Sequence, residues 1–148
     1  MATKVPKART SSKGFFFPKH PKKYVGNLDK ITFRSSWERR FMEFCDSNIK
    51  IMKWGSEEIK IPYVKPTTGR VHHYYPDFFI VYENSGGDFV KEIIEIKPLK
   101  ERVLTPKSTN YDKVMISINR AKWAAAEQFC TQHNIRFRIL SENELFRT

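Results

Sequence analysis

Three charged residues sit where their neighbours favour burial. Tyr74-Tyr75-Pro76-Asp77-Phe78-Phe79-Ile80-Val81 and Ile93-Ile94-Glu95-Ile96-Lys97 are rich in β-branched and aromatic residues, the composition of buried strands. Asn84-Ser85-Gly86-Gly87 between them is a turn cluster, so the two pair as a hairpin with Asp77, Glu95 and Lys97 near its open end. Alternation places Glu95 and Lys97 on one face, with Ile94 and Ile96 on the other. Antiparallel partners keep a constant index sum, and Asp77 joins Glu95 only if that sum is even. A two-residue turn at Gly86-Gly87 makes it odd; a three- or five-residue loop, or one bulge, makes it even, and the even register is expected. Two adjoining carboxylates repel unless a cation lies between them, and hard oxygen ligands suit Mg²⁺. Lys97 could then hold an attacking water or offset charge in a transition state. The plain alternative is a surface hairpin whose charges solvate one face.

The remaining elements must hold this hairpin. In the run from Phe33 to Cys45, Trp37, Phe41, Phe44 and Cys45 recur at helical spacing, and Ser35 is a good N-cap. Glu38 then has two readings, as the other half of a capping box or as a carboxylate aimed at a metal site. Residues 49–54 and 57–64 are strand-like, with a turn expected at Gly55-Ser56, and Pro66-Thr67-Thr68-Gly69 is another turn. His72 and His73 point to opposite sides of a strand and cannot share a metal, so surface or DNA-facing roles are expected. Pro98 ends the second hairpin strand. A basic loop with Lys100, Arg102 and Lys107 follows, and then a helix over 111–133. Met115, Ile118, Lys122, Ala125, Ala126 and Phe129 form one face of that helix. Asn119 and Lys122 lie on this side, as exposed polar residues or as supports to the site. Residues 135–140 alternate as a strand, and Ser141-Glu142-Asn143-Glu144 caps a short last helix. The expected class is α+β, a central mixed, mostly antiparallel sheet flanked by helices.

The 148 residues fit one domain with a proper core. No apolar run approaches the roughly 20 residues that span a bilayer, and the first residues lack the apolar centre of a signal peptide. Cys45 and Cys130 fall on helical patterns and are expected as reduced core residues. A net charge of +11, from 27 basic and 16 acidic residues, points to a polyanion such as nucleic acid. A ribosomal, membrane-surface or merely solubilising balance would be similar. Residues 1–28 contain no acidic residue and divide off as a basic N-terminal arm, with the domain proper at 29–148. The first dozen are expected to be flexible, while Phe15-Phe16-Phe17-Pro18 should dock on the body or a partner. The arm either contacts phosphates, through residues such as Lys22 and Lys23, or is a disordered tail.

Pro76-Asp77 and Glu95-Ile96-Lys97, with Glu38 as the helical glutamate, resemble the PD-(D/E)xK nuclease superfamily. A wider series is similar to the head-completion nucleases of T-even-like tailed phages, and more distantly to the nuclease domain of the Tn7-type transposase subunit that cleaves 5′ ends. It comprises Arg34-Ser35-Ser36-Trp37-Glu38, Trp54-Gly55-Ser56-Glu57-Glu58, Ile61-Pro62-Tyr63, Tyr75-Pro76-Asp77-Phe78, Glu95-Ile96-Lys97-Pro98, Asn119-Arg120-Ala121-Lys122-Trp123 and Phe137-Arg138-Ile139-Leu140. The resemblance implies a restriction-endonuclease-like core. It implies Mg²⁺, replaceable by Mn²⁺, held by Asp77, Glu95 and the Ile96 carbonyl, with Glu38 reaching it directly or through water and Lys97 assisting the water. Arg34, His73, Lys100, Arg102, Lys107, Asn119, Lys122 and the arm lysines would hold double-stranded DNA, with no small-molecule cofactor and no membrane. The implied setting is phage head completion after packaging, in the host cytoplasm or retained in the virion, beside portal, neck or other head proteins. A DNA-gripping head or neck component that does not cut, and a transposition or repair nuclease of the same fold, stand as alternatives.

Overall fold

A computed structural model describes residues 13–145. The chain runs β1 (Gly14–Phe15), β2 (Thr32–Phe33), α1 (Ser36–Ser47), β3 (Ile51–Ser56), β4 (Ile61–Val64), β5 (Val71–Tyr74), β6 (Phe78–Glu83), β7 (Phe89–Ile96), α2 (Asn110–Gln132), β8 (Arg136–Leu140) and α3 (Glu142–Leu145). A four-stranded sheet of order β3-β6-β7-β8 is antiparallel except for the β7–β8 pair, while β1-β2 and β4-β5 form two small ribbons. This is the expected α+β fold with a mixed, mostly antiparallel sheet.

The two faces of the sheet bury different partners. Trp54, Phe78, Ile80, Ile94, Ile96 and Leu140 pack against Trp37, Phe41, Met42 and Cys45 of α1. On the opposite face Ile93 and Phe137 meet Ile118, Ala126 and Cys130 of α2 together with Ile61, Tyr63 and Tyr74 of the β4–β5 ribbon. Both cysteines are buried and free, as expected. Phe44, expected in the α1 stripe, is 49% exposed; Met42 takes its place, one position round from Phe41 and facing the core.

Three local expectations change. β3 continues through Ser56, which pairs with Phe78, so the turn falls at Glu57, whose φ is +55°. Tyr74 to Val81 is not one strand. β5 ends at Tyr74 in the ribbon and β6 begins at Phe78 in the main sheet. Pro76 has no N–H to give a ladder, and the chain uses this break to pass between layers. Residues from Gly14 to Leu28 are also built into the body. β1 pairs with β2, Phe16 stands edge-on to Trp54 at 5.7 Å, and Tyr24 is buried against the same indole. Phe15 and Phe17 remain exposed, so the expected docking is that of Phe16. The first dozen residues, for which flexibility was expected, lie outside the described residues.

Candidate active site

The hairpin register decides the site. Phe78 pairs with Ile94 and Glu83 with Phe89, so the index sum is even and the loop Asn84–Asp88 has five residues. Continuing the pairing one step sets Asp77 opposite Glu95. The Ile96 N–H donates to Asp77 Oδ2 at 2.8 Å, locking that carboxylate across the strand end. Glu95 is buried on the α2 face, where the Tyr74 hydroxyl donates to its Oε1 at 2.7 Å. Lys97 Nζ stands 4.0 Å from Glu95 Oε2. Asp77, Glu95 and Lys97 line one cavity of about 570 Å³, together with Arg34, Glu57, His73, Tyr75 and Lys122.

Its electrostatics are those of carboxylates short of counter-charge. Burial pushes the Asp77 carboxyl well above the usual range, and Glu95 and then Glu38 push it further; the Ile96 N–H and Lys97 oppose them. Burial also raises Glu95, against the Tyr74 hydroxyl, Lys97 and Lys122. Lys122 extends over the faces of Tyr74 and Tyr63, 5.7 and 5.9 Å from their centroids. Burial lowers its pKa while Glu95 draws it back up. Glu38 approaches from the other layer, at the α1 N-terminus. Ser35 caps the helix by accepting the Glu38 N–H at 3.2 Å and gives its hydroxyl to Glu38 Oε2 at 3.3 Å. Burial raises the Glu38 carboxyl as well. Glu38 thus shares a hydrogen bond with its N-cap side chain without completing the backbone half of a capping box, and its charge is felt at Asp77.

These residues fit a hard divalent cation. Asp77 and Glu95 each have one oxygen fixed by a protein donor. Asp77 Oδ1 accepts no hydrogen bond among the described residues, the Asp77 N–H helps to hold Glu95, and burial raises both carboxyls, so both resist ionising without added positive charge. No set of three His, Cys, Asp or Glu side chains converges as a ready metal cage among the described residues.

Of the other expected site residues, Arg34, His73 and Lys122 reach this cavity. Lys100, Lys107 and Asn119 line a neighbouring one that shares Lys97. Arg102 lies over the Trp123 ring, 5.9 Å from its centroid. Lys23 does not join them: its ammonium caps the far end of α1, bonded to the carbonyls of Asp46 at 2.9 Å and Asn48 at 2.8 Å. Lys22 is exposed on the same turn, Pro21–Lys23. Two residues of the site escaped the sequence reading. Tyr74 was legible as a buried strand residue but not as the donor to Glu95. Glu57 gave no signal: it pairs with Arg34 at 2.7 Å and binds the Asp77 carbonyl through its own N–H at 3.1 Å.

Residues 48–142 match the family model described as TnsA-like endonuclease N terminal. The chain is 37% identical over 142 residues to the head completion nuclease of Enterobacteria phage T4, covering 89% of this chain and 92% of that protein. No solved structure gives a significant match. The match spans β3 through β8, including both half-motifs and every residue that lines their cavity except Arg34. The chain belongs to the TnsA-like endonuclease family, in the branch of the head-completion nucleases.

Proposed function

We propose that this protein is a Mg²⁺-dependent DNA endonuclease that hydrolyses phosphodiester bonds during phage head completion, after packaging. The observation that carries the reading is the Asp77–Glu95 pair, set opposite one another and lining one cavity with Lys97 beside them. Asp77 and Glu95 would hold the cation with the Ile96 carbonyl, and Glu38 directly or through water; Mn²⁺ would substitute. When bound, the cation supplies charge neutralisation for the phosphate and acidifies water. The protein's own residues do the rest. Tyr74 and the Ile96 N–H fix the two carboxylates before substrate arrives, so no reorganisation is needed at the moment of reaction. Lys97 would orient the attacking water in line with the scissile P–O bond; the water gives up a proton to solvent as its oxygen bonds phosphorus, and the leaving oxygen takes one from solvent as the P–O bond breaks. Arg34 and Lys122 face the same cavity and offset phosphate charge.

The same reading places the protein at a filled head, with portal, neck or other head proteins as partners, in the host cytoplasm during assembly or retained in the particle. No helix among the described residues is long and apolar enough to cross a membrane.

The test is supercoiled plasmid incubated with purified protein in Mg²⁺, Mn²⁺ or EDTA, beside Asp77→Ala and Lys97→Ala. Nicking or linearisation that needs the metal and disappears in both variants is expected, with plasmid still retarded in a gel. A variant that cuts like the parent would displace the site. Retardation without cutting in any metal would favour a DNA-gripping head component.

A further inference from the structure

A second cavity, of about 460 Å³, opens beside the first and shares Lys97 with it. Tyr111, Met115 and Asn119 line it at i, i+4 and i+8, one stripe along α2. Lys122, on the same stripe, already belongs to the catalytic cavity. The two spaces are thus consecutive along one helix, with Tyr111 and Asn119 separated by about 12 Å of helix rise.

Asn119 is the unexplained part. It is 8% exposed, yet its amide makes no hydrogen bond with a described residue, and it faces the cavity. Its amide atoms are not sealed from solvent but reach water through the cavity, so the position suits a ligand that offers a donor and an acceptor in place of that water. At the mouth Tyr111 is 71% exposed, an aromatic face that no ring or cation of a described residue covers. Lys97, Lys100 and Lys107 outnumber the carboxylates of Glu101 and Asp112 on the wall, and Asp112 is turned to the N–H of Thr109 at 2.9 Å.

We propose that this cavity is a nucleotide subsite for a single-stranded segment next to the scissile phosphate. Asn119 takes the edge of one base, Tyr111 stacks on the next, and Lys100 and Lys107 hold the backbone between them. In paired DNA those edges are occupied and the ring faces are covered, so only an overhanging, frayed or gapped strand fills the site. The proposal rests on the nuclease reading for the position of the scissile phosphate and names its substrate class.

The experiment is fluorescence anisotropy in EDTA, with a labelled single-stranded oligonucleotide and the same sequence as a blunt duplex, at equal salt. Non-specific electrostatics alone favours the duplex, which has the higher charge density. The expected result is at least about tenfold tighter binding of the single strand. Tyr111→Ala, at an exposed position, should narrow that preference about five- to tenfold by weakening the single strand; Asn119→Leu should do the same. The proposal is overturned if the duplex binds as tightly, if the single strand does not bind, or if Tyr111→Ala leaves the ratio unchanged. No cleavage is involved, so failure here is separate from failure of the plasmid test.

Discussion

Asp77 holds a charge that its surroundings oppose, because burial, Glu95 and Glu38 all favour its neutral form. Its carboxyl titrates above the ordinary range in the fold, so the folded state binds more protons than the unfolded chain between the two pKa values. Stability must therefore fall as pH rises through that interval, the reverse of a salt-bridged aspartate. Asp77→Asn keeps an oxygen for the Ile96 N–H and removes the charge. In EDTA at pH 8 it should be the more stable protein, by on the order of 1 kcal/mol or about 3 °C in Tm, with the gap closing towards pH 4. Mg²⁺ should raise the Tm of the parent and not that of the variant. Calorimetry at the two pH values checks this, and a variant less stable than the parent at pH 8 would contradict it. The sequence exposed Asp77, Glu95 and Lys97 because their types conflict with apolar neighbours. It could not expose Glu57, whose part depends on a left-handed φ and on a carbonyl brought near only by folding.

At the scale of elements, the segment before α1 is pinned by a residue far from the chemistry. Asp46, buried near the end of α1, accepts the N–H groups of Lys19 at 2.8 Å and His20 at 3.0 Å, and Lys23 caps the same helix end. Asp46→Ala leaves both donors without their carboxylate. It should cost roughly 2–3 kcal/mol, a fall in Tm of roughly 6–10 °C, and open residues 19–23 to protease. Thermal denaturation and limited proteolysis read both effects; an unchanged Tm would show the anchoring to be idle. Composition alone made this segment part of a basic arm, since the long-range acceptor is invisible in local sequence. Periodicity served better elsewhere. The two long helices and the alternation of β8 were legible because each follows from a short repeat, whereas the even hairpin register, expected on the pairing of the carboxylates, was decided by a five-residue loop that alternation does not fix. The break at Tyr75-Pro76-Asp77 was missed because an aromatic run reads as one strand whether or not it changes sheets. Pro76 was the available signal.

For the whole molecule, the net charge of +11 overstates what can act at one surface. Arg34 and Lys122 line the catalytic cavity, Lys97 lines both cavities, and Lys100 and Lys107 line the neighbouring one. Lys23 is consumed by α1, and Arg138 pairs with buried Glu92 away from both cavities, whereas Arg34, though paired with Glu57 at 2.7 Å, is 60% exposed at the catalytic one. If about five cations meet phosphates, the logarithm of the binding constant should fall with the logarithm of salt with a slope of about −3.5 on a single strand and −4.5 on duplex. Raising KCl from about 50 to 200 mM would then weaken binding by about 100- to 500-fold, measured by anisotropy in EDTA. Lys107→Ala should reduce the slope by close to one charge without abolishing binding, since Lys107 contacts phosphate and reads no base. A slope near −1 would remove these cavities as the DNA path. A slope near −10 would require several cations beyond these five, and the surface assigned to DNA would then be only part of the one in use.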